Sequence, residues 1–408
     1  ITNAAIYAML ADMYLWRGSL HQGRGMLEDS VKVDTGYVVH TVKGDYQLAA
    51  DYADLSLASL AKQNQDRFSS SYNPDIIDTE NYGLENCDMI ENDFTGAYQS
   101  TAPLLEAQEY IFTNKNSIES IFELQYSSGE QENSAVNHLY GYSTGSHLEV
   151  SQDALGVCYG GWGNAKYDSR MWVGAQNLVT TNISSSSTAL SGYYCVKWQR
   201  PEVFWTGQQT SREIKNVEIS SNKWRNWIIY RMTDVMLMKA EALACIGGAA
   251  NNTLAKNIVN AIHRRSYCNY NESKPVSPDL TSGSTNGNAT NNSDIVVMVL
   301  NERQIELLGE GKRWFDLVRY AERNSDSASE AADEREATQE KHVGNGQKGM
   351  IKMVDTFLRN AYSNYYTTLK NRFKNRYGLY SPIYYMDVKA SDGKLHQNPV
   401  WNKSKYDQ

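Results

Sequence analysis

Three glutamates, Glu302, Glu306 and Glu310, lie four residues apart towards the end of the chain. A cluster of carboxylates can do acid–base chemistry, and a glycoside hydrolase needs only two carboxylates that flank the scissile bond. Glycoside hydrolysis is therefore one function that these residue types permit. The sequence shows no isolated pair of acids, however, because each of the three glutamates has a basic neighbour nearby.

The same stretch supports a second interpretation, a structural network of ion pairs. Opposite charges three residues apart can pair along a helix surface. Three such pairs occur: Arg303 with Glu306, Arg313 with Asp316, and Asp316 with Arg319. Aromatic residues accompany these charges, so we expect the charges to be partly buried, where each requires a partner. We favour the network because it accounts for the basic residues as well as the acidic ones.

Two helices separated by a glycine break must position these charges. The apolar run 295–300 leads into the first helix, and residues 309–311, Gly-Glu-Gly, end it, because glycine readily adopts the left-handed backbone conformation. The second helix carries a bulky apolar face. That face consists of Trp314, Phe315, Leu317 and Val318. We expect Trp314 to be buried, so that its replacement by alanine costs roughly 3–5 kcal/mol.

Residues 301–319, NERQIELLGEGKRWFDLVR, resemble the C-terminal signature of the SusD/RagB family. They match every fixed letter of N-E-R-x-x-E-L-x-x-E-G-x-R-W-F-D-L-x-R. The one departure is Gly309, where the family usually has a bulky residue. Weaker resemblance to the family extends to residues 120–126, 231–243 and 380–399.

The resemblance implies a nutrient-binding lipoprotein on the outer membrane of Bacteroidetes-type bacteria. Such a protein captures an oligosaccharide or a peptide at the cell surface and passes it to a SusC-like TonB-dependent transporter. A lipid anchor would be its only membrane attachment. The first residues, ITNAAIYAML, resemble a helix from the middle of a family member. We therefore expect an N-terminal portion, with its signal peptide and lipid-bearing cysteine, to be missing from this sequence.

The periodic patterns predict a mainly α fold, in which tetratricopeptide-like helix pairs form a scaffold with long irregular loops and a few short strands, as in SusD-like proteins. Helices are predicted at residues 2–17, 46–60, 227–246, 253–267 and 350–377. Strands are predicted at 120–126 and at 193–198, the second ended by Pro201. The first helix carries small residues on one face and Tyr and Leu on another, which favours close antiparallel pairing with the second helix.

One SusD-like domain, lacking its N-terminal part, is predicted over residues 1–408. Two polar, low-complexity tracts, residues 271–294 and 321–349, are predicted to be flexible surface insertions. Residues 127–226 are irregular and rich in glycine and aromatic residues. Long irregular stretches in a compact protein are usually functional or disordered, and aromatic content argues against disorder. We interpret residues 127–226 as the candidate ligand-binding region.

Composition argues against several classes of protein. A net charge of −8 without a basic stripe makes nucleic acid an unexpected partner. The 5 cysteines are scattered and fit neither a disulfide framework nor a zinc site. Motifs for nucleophilic catalysis, metal binding, phosphate binding and dinucleotide binding do not occur in the sequence. We therefore expect a protein with no cofactor and no metal, and not an enzyme.

Flat Tyr and Trp side chains can stack on sugar rings or peptide side chains, while amides bind hydroxyl or backbone groups. The candidate ligand-binding residues are Tyr140, Tyr142, Tyr159, Trp162, Asn164 and Trp198. Each has a structural alternative, since an aromatic residue beside a glycine turn often fills the core. Two other functions stay open beside ligand capture. They are a glycoside hydrolase that uses paired carboxylates and a helical-repeat scaffold for protein interaction.

Overall fold

The structure is a computed structural model that describes the chain in stretches. The described residues are 1–24, 28–33, 36–68, 111–112, 115–127, 129, 131–140, 149–150, 170, 176–177, 193–195, 197–198, 201–206, 211–217, 225–266, 295–325, 347–359, 363–372 and 376–398. Helix is the main secondary structure among them, which confirms the prediction of a mainly α fold with a few short strands. None of the helices in these stretches is long and apolar enough to cross a membrane.

The α-helices in the described stretches are α1 (Asn3–Gly23), α2 (Val42–Phe68), α3 (Ser134–Tyr140), α4 (Met232–Ile246), α5 (Ala249–Ser266), α6 (Ile295–Glu306), α7 (Arg313–Arg323), α8 (Gln347–Met353), α9 (Tyr366–Arg372) and α10 (Tyr385–Ala390). A π-helical turn, Val354–Leu358, continues α8, and two 3-10 turns, Ser363–Tyr365 and Arg376–Leu379, flank α9.

The strands in the same stretches are β1 (Glu28–Val33), β2 (Gly36–Thr41), β3 (Ser120–Leu124), β4 (Glu149–Val150), β5 (Gln176–Asn177), β6 (Tyr193–Tyr194), β7 (Pro201–Thr206), β8 (Ser211–Val217) and β9 (Trp227–Arg231). They pair antiparallel in small sheets: β1 with β2, β3 with β9, β7 with β8, and β6 between β4 and β5.

The chain divides into two compact units. The first unit contains Ile1–Tyr14 and Tyr46–Arg313, and the second contains Leu15–Asp45 and Trp314–Gln408. Each unit therefore draws on two separate stretches of the sequence. The single domain over residues 1–408 stays a prediction.

In the first unit, α1 and α2 form the helix pair that the sequence predicts. The ring of Tyr52 on α2 stacks on the rings of Tyr7 and Tyr14 on α1. One turn further along α2, the Ser56 hydroxyl donates a hydrogen bond to the carbonyl of Ala4 at 2.7 Å. Residues further along α2 thus contact residues earlier on α1, so the two helices are antiparallel. Alanines buried on both helices allow this close approach.

The first helix begins where the sequence predicts. The Thr2 hydroxyl accepts a hydrogen bond from the Ala5 N–H at 3.2 Å, which satisfies one of the unpaired donors at the start of α1. Both helices of the pair are longer than predicted: α1 continues past residue 17 to Gly23, and α2 covers Val42–Phe68 rather than 46–60.

The predicted helix 227–246 is wrong for its first five residues. Trp227–Arg231 forms strand β9, which pairs antiparallel with β3, and only Met232–Ile246 is helical. Arg231 keeps an extended backbone, with φ −132° and ψ 165°, directly before α4. Aromatic and β-branched residues fit a pleated strand well. The pairing partner lies about a hundred residues earlier, so local periodicity could not reveal it.

Two other predicted boundaries are also wrong. The strand predicted at 193–198 is limited to Tyr193–Tyr194, and Pro201 begins β7 instead of ending a strand. Proline is tolerated at the first residue of a strand, because it only lacks the N–H donor. The helix predicted at 350–377 is interrupted by the π-helical turn and the first 3-10 turn.

Of the two predicted insertions, residues 271–294 lie outside the described residues. Within 321–349, residues 321–323 complete α7 and residues 347–349 begin α8. Ala321 and Glu322 are buried. The prediction of a flexible surface insertion over 321–349 is therefore wrong at these two ends, and for residues 326–346, which lie outside the described residues, it stays a prediction.

One core of apolar side chains in the first unit lies around β3, β9 and the end of α6. Its buried members are Ile111, Phe112, Val136, Tyr140, Val150, Cys195, Trp198, Ile228 and Ile305. Helix α4 packs against both α5 and α6 beside this core. Every side chain of α4 from Met232 to Leu243 is buried, so this helix is the central element of the unit.

The glycine break after α6 is present as predicted. Gly309 and Gly311 have φ angles of +81° and +76°, in the left-handed region. A Cβ atom on Gly309 would lie 2.5 Å from the Sγ atom of Cys195, whereas one on Gly311 would meet nothing within 4 Å. The Tyr140 hydroxyl also donates a hydrogen bond to the Gly309 carbonyl. Cys195 and Tyr140 therefore occupy the space beside Gly309.

In the second unit, α8 approaches the backbone of α7 closely. A Cβ atom on Gly349 of α8 would lie 1.9 Å from the carbonyl oxygen of Ala321, so only glycine fits there. Tyr320 of α7 packs edge-on against Phe357, with ring centroids 5.0 Å apart. Buried apolar side chains of α7, α8 and the π-helical turn thus lie together in this unit.

The apolar face predicted for α7 is divided. Leu317 and Val318 are buried, but Trp314 is 41% exposed and Phe315 is 57% exposed. The prediction that Trp314 is buried is therefore wrong. Its indole N–H donates a hydrogen bond to the carbonyl of Leu379 at 3.2 Å, so the ring lies on the surface of the second unit with its polar edge satisfied.

Candidate functional site

Glu306, the last residue of α6, is surrounded by arginines. Its carboxylate oxygens lie 2.6 Å from Arg265, 2.7 Å from Arg231 and 2.9 Å from Arg170. Arg265 belongs to α5 and Arg231 ends β9, so the carboxylate ties three parts of the chain together. All four side chains are buried.

Glu310, in the turn that follows α6, extends this arrangement. Arg231 grips its carboxylate with two hydrogen bonds, from Nε at 2.9 Å and from Nη2 at 2.8 Å. Paired bonds of this kind combine charge with fixed geometry. Lys197 donates a hydrogen bond to Glu310 at 2.8 Å and another to the carbonyl oxygen of Glu306 at 2.7 Å. The turn is therefore fixed by buried cations on two sides.

Two further acids complete the group, which we term the buried charge network. Glu302 lies 2.5 Å from Arg170, and Glu119, just before β3, accepts a hydrogen bond from Arg265. The network then contains four acids and four bases: Glu119, Glu302, Glu306 and Glu310 with Arg170, Lys197, Arg231 and Arg265. Its formal charges cancel, which is what burial of this many ions requires.

The electrostatics of the network keep its charges in place. Burial by itself raises the pKa of Glu306, but Arg265, Arg231 and the other nearby cations outweigh it and hold the pKa well below its ordinary value of 4.5. Glu310 follows the same pattern, because Arg231 and Lys197 overcome the effect of burial and lower its pKa. Both carboxylates are therefore ionised at neutral pH.

This arrangement decides between the two interpretations of the glutamates. A general acid needs a raised pKa and access to the substrate. Glu306 and Glu310 have lowered pKa values, and together with Glu302 they are buried and held by ion pairs. The geometry agrees with the structural network and gives no support to acid–base chemistry by these three residues.

A second buried acid, Asp234 in the first turn of α4, also ties elements together. It lies 2.9 Å from Arg303 on α6 and 3.0 Å from Lys312. Burial raises its pKa, but Lys312 and Arg303 outweigh burial and lower it. In the second unit, Arg319 and Asp316 form the predicted pair three residues apart, at 2.8 Å.

Beside the charge network lies a stack of aromatic rings from three separate parts of the sequence. The Tyr140 and Trp198 rings stack with centroids 4.7 Å apart, and Trp198 stacks on Trp227 at 4.9 Å with an angle of 6° between the planes. Phe112 packs on Trp198 at 5.0 Å and also receives the Lys197 ammonium, which lies 5.2 Å from its ring centroid. The Trp198 indole N–H donates a hydrogen bond to the Asn226 carbonyl at 3.3 Å.

The structure therefore places two of the six predicted ligand-binding residues in the core. Tyr140 and Trp198 are buried, and burial, followed by the nearby Cys195 and Glu310, raises the pKa of Tyr140. Neither ring offers an open face to a ligand in this structure. Tyr142, Tyr159, Trp162 and Asn164 lie outside the described residues, and their role stays a prediction.

Trp227 is the aromatic residue that the sequence analysis did not single out. It forms the end of the stack and is only partly buried, at the start of β9. The sequence analysis assigned Trp227 to a helix, so it did not predict that Trp227 packs at the edge of the aromatic group. Among the described residues, no group of three or more His, Cys, Asp or Glu side chains could hold a metal ion.

Comparison with known families decides the affiliation of the chain. Residues 108–401, well over half of the sequence, match the model of the SusD family. The chain belongs to the SusD family. The expected resemblance is thereby confirmed, and it covers the charge network, the aromatic stack and the signature stretch.

Individual relatives of this SusD family member are distant. The SusD-like protein P38 of Formosa agariphila is 36% identical over 94 residues, which are 23% of this chain and 17% of that protein. Among solved structures, B. fragilis NanU is 16% identical with a TM-score of 0.45, and a SusD homologue from Bacteroides thetaiotaomicron is 16% identical with a TM-score of 0.47.

These two structures are covered in part only. The comparison with NanU spans 98% of this chain and 64% of that chain, and the comparison with the SusD homologue spans 98% and 60%. The surface glycan-binding protein A from Bacteroides thetaiotaomicron, solved with laminarihexaose, is 17% identical over 90% of this chain and 65% of its own, with a TM-score of 0.38. This chain therefore spans less than two thirds of the length of these relatives.

Proposed function

We propose that this chain is the nutrient-binding part of a cell-surface protein that captures an oligosaccharide or a peptide and delivers it to a SusC-like TonB-dependent transporter. Membership of the SusD family carries this proposal. The protein would act at the outer membrane, attached by a lipid anchor. A glycan is the ligand class that we place first.

The chemistry of the buried charge network supports capture without turnover. Glu302, Glu306 and Glu310 form ion pairs with Arg170, Arg231 and their neighbours. These are the three glutamates that a hydrolase could have used as acid and base. Their role is to hold β9, α5 and α6 together. A rigid scaffold of this kind can present binding loops in a fixed geometry.

We place the ligand contacts within residues 127–226, on Tyr142, Tyr159, Trp162 and Asn164. The stack of Tyr140, Trp198 and the partly buried Trp227 would be part of the core that supports this region. Aromatic side chains lose little conformational entropy on binding, because each ring has only two rotatable bonds. We expect affinities on the order of micromolar, or about −8 kcal/mol, since the ligand must also be released to a transporter.

Calorimetric titration with neutral hexasaccharides, laminarihexaose among them, and with short peptides tests this proposal. The parent should bind at least one of these ligands without consuming it, as followed by chromatography of the incubated ligand. The Trp162→Ala and Tyr142→Ala variants should weaken that binding by roughly tenfold or more. Trp314→Ala is the matched control, because Trp314 is a surface tryptophan of the second unit.

Three outcomes would contradict the proposal. Cleavage of a hexasaccharide by the parent would favour the hydrolase. Failure of the parent to bind any glycan or peptide would remove the ligand-capture function. Unchanged affinity in both the Trp162→Ala and Tyr142→Ala variants would show that these residues do not contact the ligand and that ligands bind elsewhere.

A further inference from the structure

The C-terminal segment of residues 380–398, in the second unit, exposes aromatic side chains to an unusual degree. Tyr384 is 62% exposed and the adjacent Tyr385 is 63% exposed. The short helix α10, which begins at Tyr385, has no buried residue. Single exposed apolar residues are normal on protein surfaces, but grouped ones mark interaction sites.

This segment is held in place although its side chains face solvent. The Gln397 side chain accepts a hydrogen bond from the Ile383 N–H at 2.9 Å and donates one to the Ile383 carbonyl at 2.7 Å. The Tyr380 hydroxyl donates to Glu322 of α7 at 2.7 Å. The residue directly before Tyr384 is thus clamped on both its backbone groups, so the two exposed rings are presented on a fixed backbone.

The two rings form a corner. Their centroids lie 5.2 Å apart and their planes meet at 63°. Among the described residues, neither hydroxyl has a hydrogen-bond partner. Two exposed ring faces with hydroxyl groups at their rims suit a ligand that is itself apolar on its ring face and polar at its edge.

The charges around the corner favour an uncharged ligand. Four exposed charged residues follow the tyrosines, and they cancel: Asp387 and Asp392 with Lys389 and Lys394. These four residues therefore give a charged ligand no net electrostatic attraction. Carboxylate and ammonium groups at the rim can still bind hydroxyl groups.

The size of the corner favours a small ligand over a protein. A standard protein interface buries roughly 20–30 residues on each side. Among the described residues of this segment from Tyr384 onwards, the exposed large apolar side chains are Tyr384, Tyr385, Met386 and Leu395, far fewer than such an interface uses. Two aromatic rings are enough to stack on a small ligand such as a sugar.

We infer that the corner of Tyr384 and Tyr385, in the second unit, is a second carbohydrate-binding site that is specific for neutral sugars. The inference rests on the proposed function in its choice of ligand class, but not in its location. When one long glycan chain engages two sites on a protein, it is retained more strongly than at either site alone.

The test compares the Tyr384→Ala/Tyr385→Ala variant with Tyr365→Ala. Tyr365 is 64% exposed in the same unit, so this variant removes an equally exposed tyrosine. Calorimetry with laminarihexaose, and retention in native gels that contain the parent polysaccharide laminarin, should both be measured. All substitutions lie on the surface, so thermal unfolding should confirm that each variant stays folded.

We expect the double variant to lose the weaker of two binding events and to lose roughly tenfold in affinity for the polymer, while Tyr365→Ala behaves as the parent. If the parent binds a neutral glucan and the double variant binds it equally well, this inference is overturned and the proposed function stands. If the parent binds no such glucan in either format, the inference also falls. Binding of a protein but not of a glucan by this corner would overturn it as well.

Discussion

The two helices that contain residues 301–319, α6 and α7, bury opposite kinds of side chain. Along α6 and the turn after it, Glu302, Glu306 and Glu310 are buried. At the start of α7, two of the most hydrophobic residues of the stretch, Trp314 and Phe315, are exposed. Side-chain type alone would predict the reverse.

The difference shows that partners decide burial more than polarity does. Each buried glutamate meets one or more cations within 3 Å, so its charge is compensated inside the unit. Trp314 keeps its N–H bonded to Leu379 while its ring stays partly in water. A buried network that is fully paired is stable, but loss of one partner leaves an uncompensated charge. The comparison therefore predicts that charge changes in α6 cost more than aromatic changes in α7.

Removal of one cation from the network should have the largest effect. Arg231→Met leaves Glu306 and Glu310 with too little positive charge, and we expect a loss of about 3–5 kcal/mol in the free energy of unfolding. Urea denaturation measures it. Lys239→Met is the control, because Lys239 is also buried but its partner Asp54 is 43% exposed and can be hydrated. Equal costs for the two variants would contradict the claim that the network is special.

Acid should destabilise the protein through the same network. The pKa values of Glu306 and Glu310 are lowered in the folded state from the ordinary value of 4.5. Their contribution is therefore complete above pH 4.5 and is lost as the pH falls below it. The melting temperature, measured from pH 7 to pH 3, should drop steeply below about pH 4.5. The melting temperature of Glu306→Gln should fall less steeply with decreasing pH. An equally steep fall would show that other groups cause the acid unfolding.

Two glycines in the turn after α6 allow a matched comparison. Gly309→Ala and Gly311→Ala both place a side chain at positive φ, but only the first brings a Cβ atom within 2.5 Å of Cys195 Sγ. We expect Gly309→Ala to cost about 1–3 kcal/mol more, as overpacking does. The Cys195→Ala substitution should recover part of that difference in the double variant. An equal loss in the free energy of unfolding for the two glycine variants would mean that the turn can shift to accommodate the Cβ atom.

The smallest effect is expected where the sequence predicted a large one. Trp314→Ala should cost only about 1 kcal/mol, for one hydrogen bond and a partly exposed ring, and Phe315→Ala less. Tyr320→Ala, which removes a buried ring of the same helix, should cost about 3–5 kcal/mol. Thermal unfolding of the three variants checks this order. A cost for Trp314→Ala near that of Tyr320→Ala would contradict the exposure of Trp314.

Local features of the fold were predictable from the sequence. The Thr2 cap, the paired helices α1 and α2, the glycine break and the Asp316–Arg319 pair all depend on residues close together in sequence or on a helical period. The structural role of the three glutamates was also predictable, because basic residues accompany them.

Features that depend on distant residues were not predictable. The partners of Glu306 lie 41, 75 and 136 residues away, so spacing suggested only Arg303. Strand β9 was predicted as helix, because its pairing with β3 is non-local. Trp314 was predicted to be buried because it is large and apolar. Residue type alone cannot show which face of α7 lies on the surface of its unit, so this prediction was wrong.

The most direct test of the central claim is one variant with two readouts. Glu306→Gln keeps the shape of the side chain and removes its charge. Its melting temperature and its affinity for laminarihexaose should be measured beside those of the parent, at a temperature where both are folded. We predict a much lower melting temperature for the variant and no cleavage of the ligand by either protein. The affinity of the variant should stay within about twofold of that of the parent, where a tenfold change would correspond to about 1.4 kcal/mol. A parent that cleaves the hexasaccharide, with a Glu306→Gln variant that is equally stable and inactive, would contradict the claim.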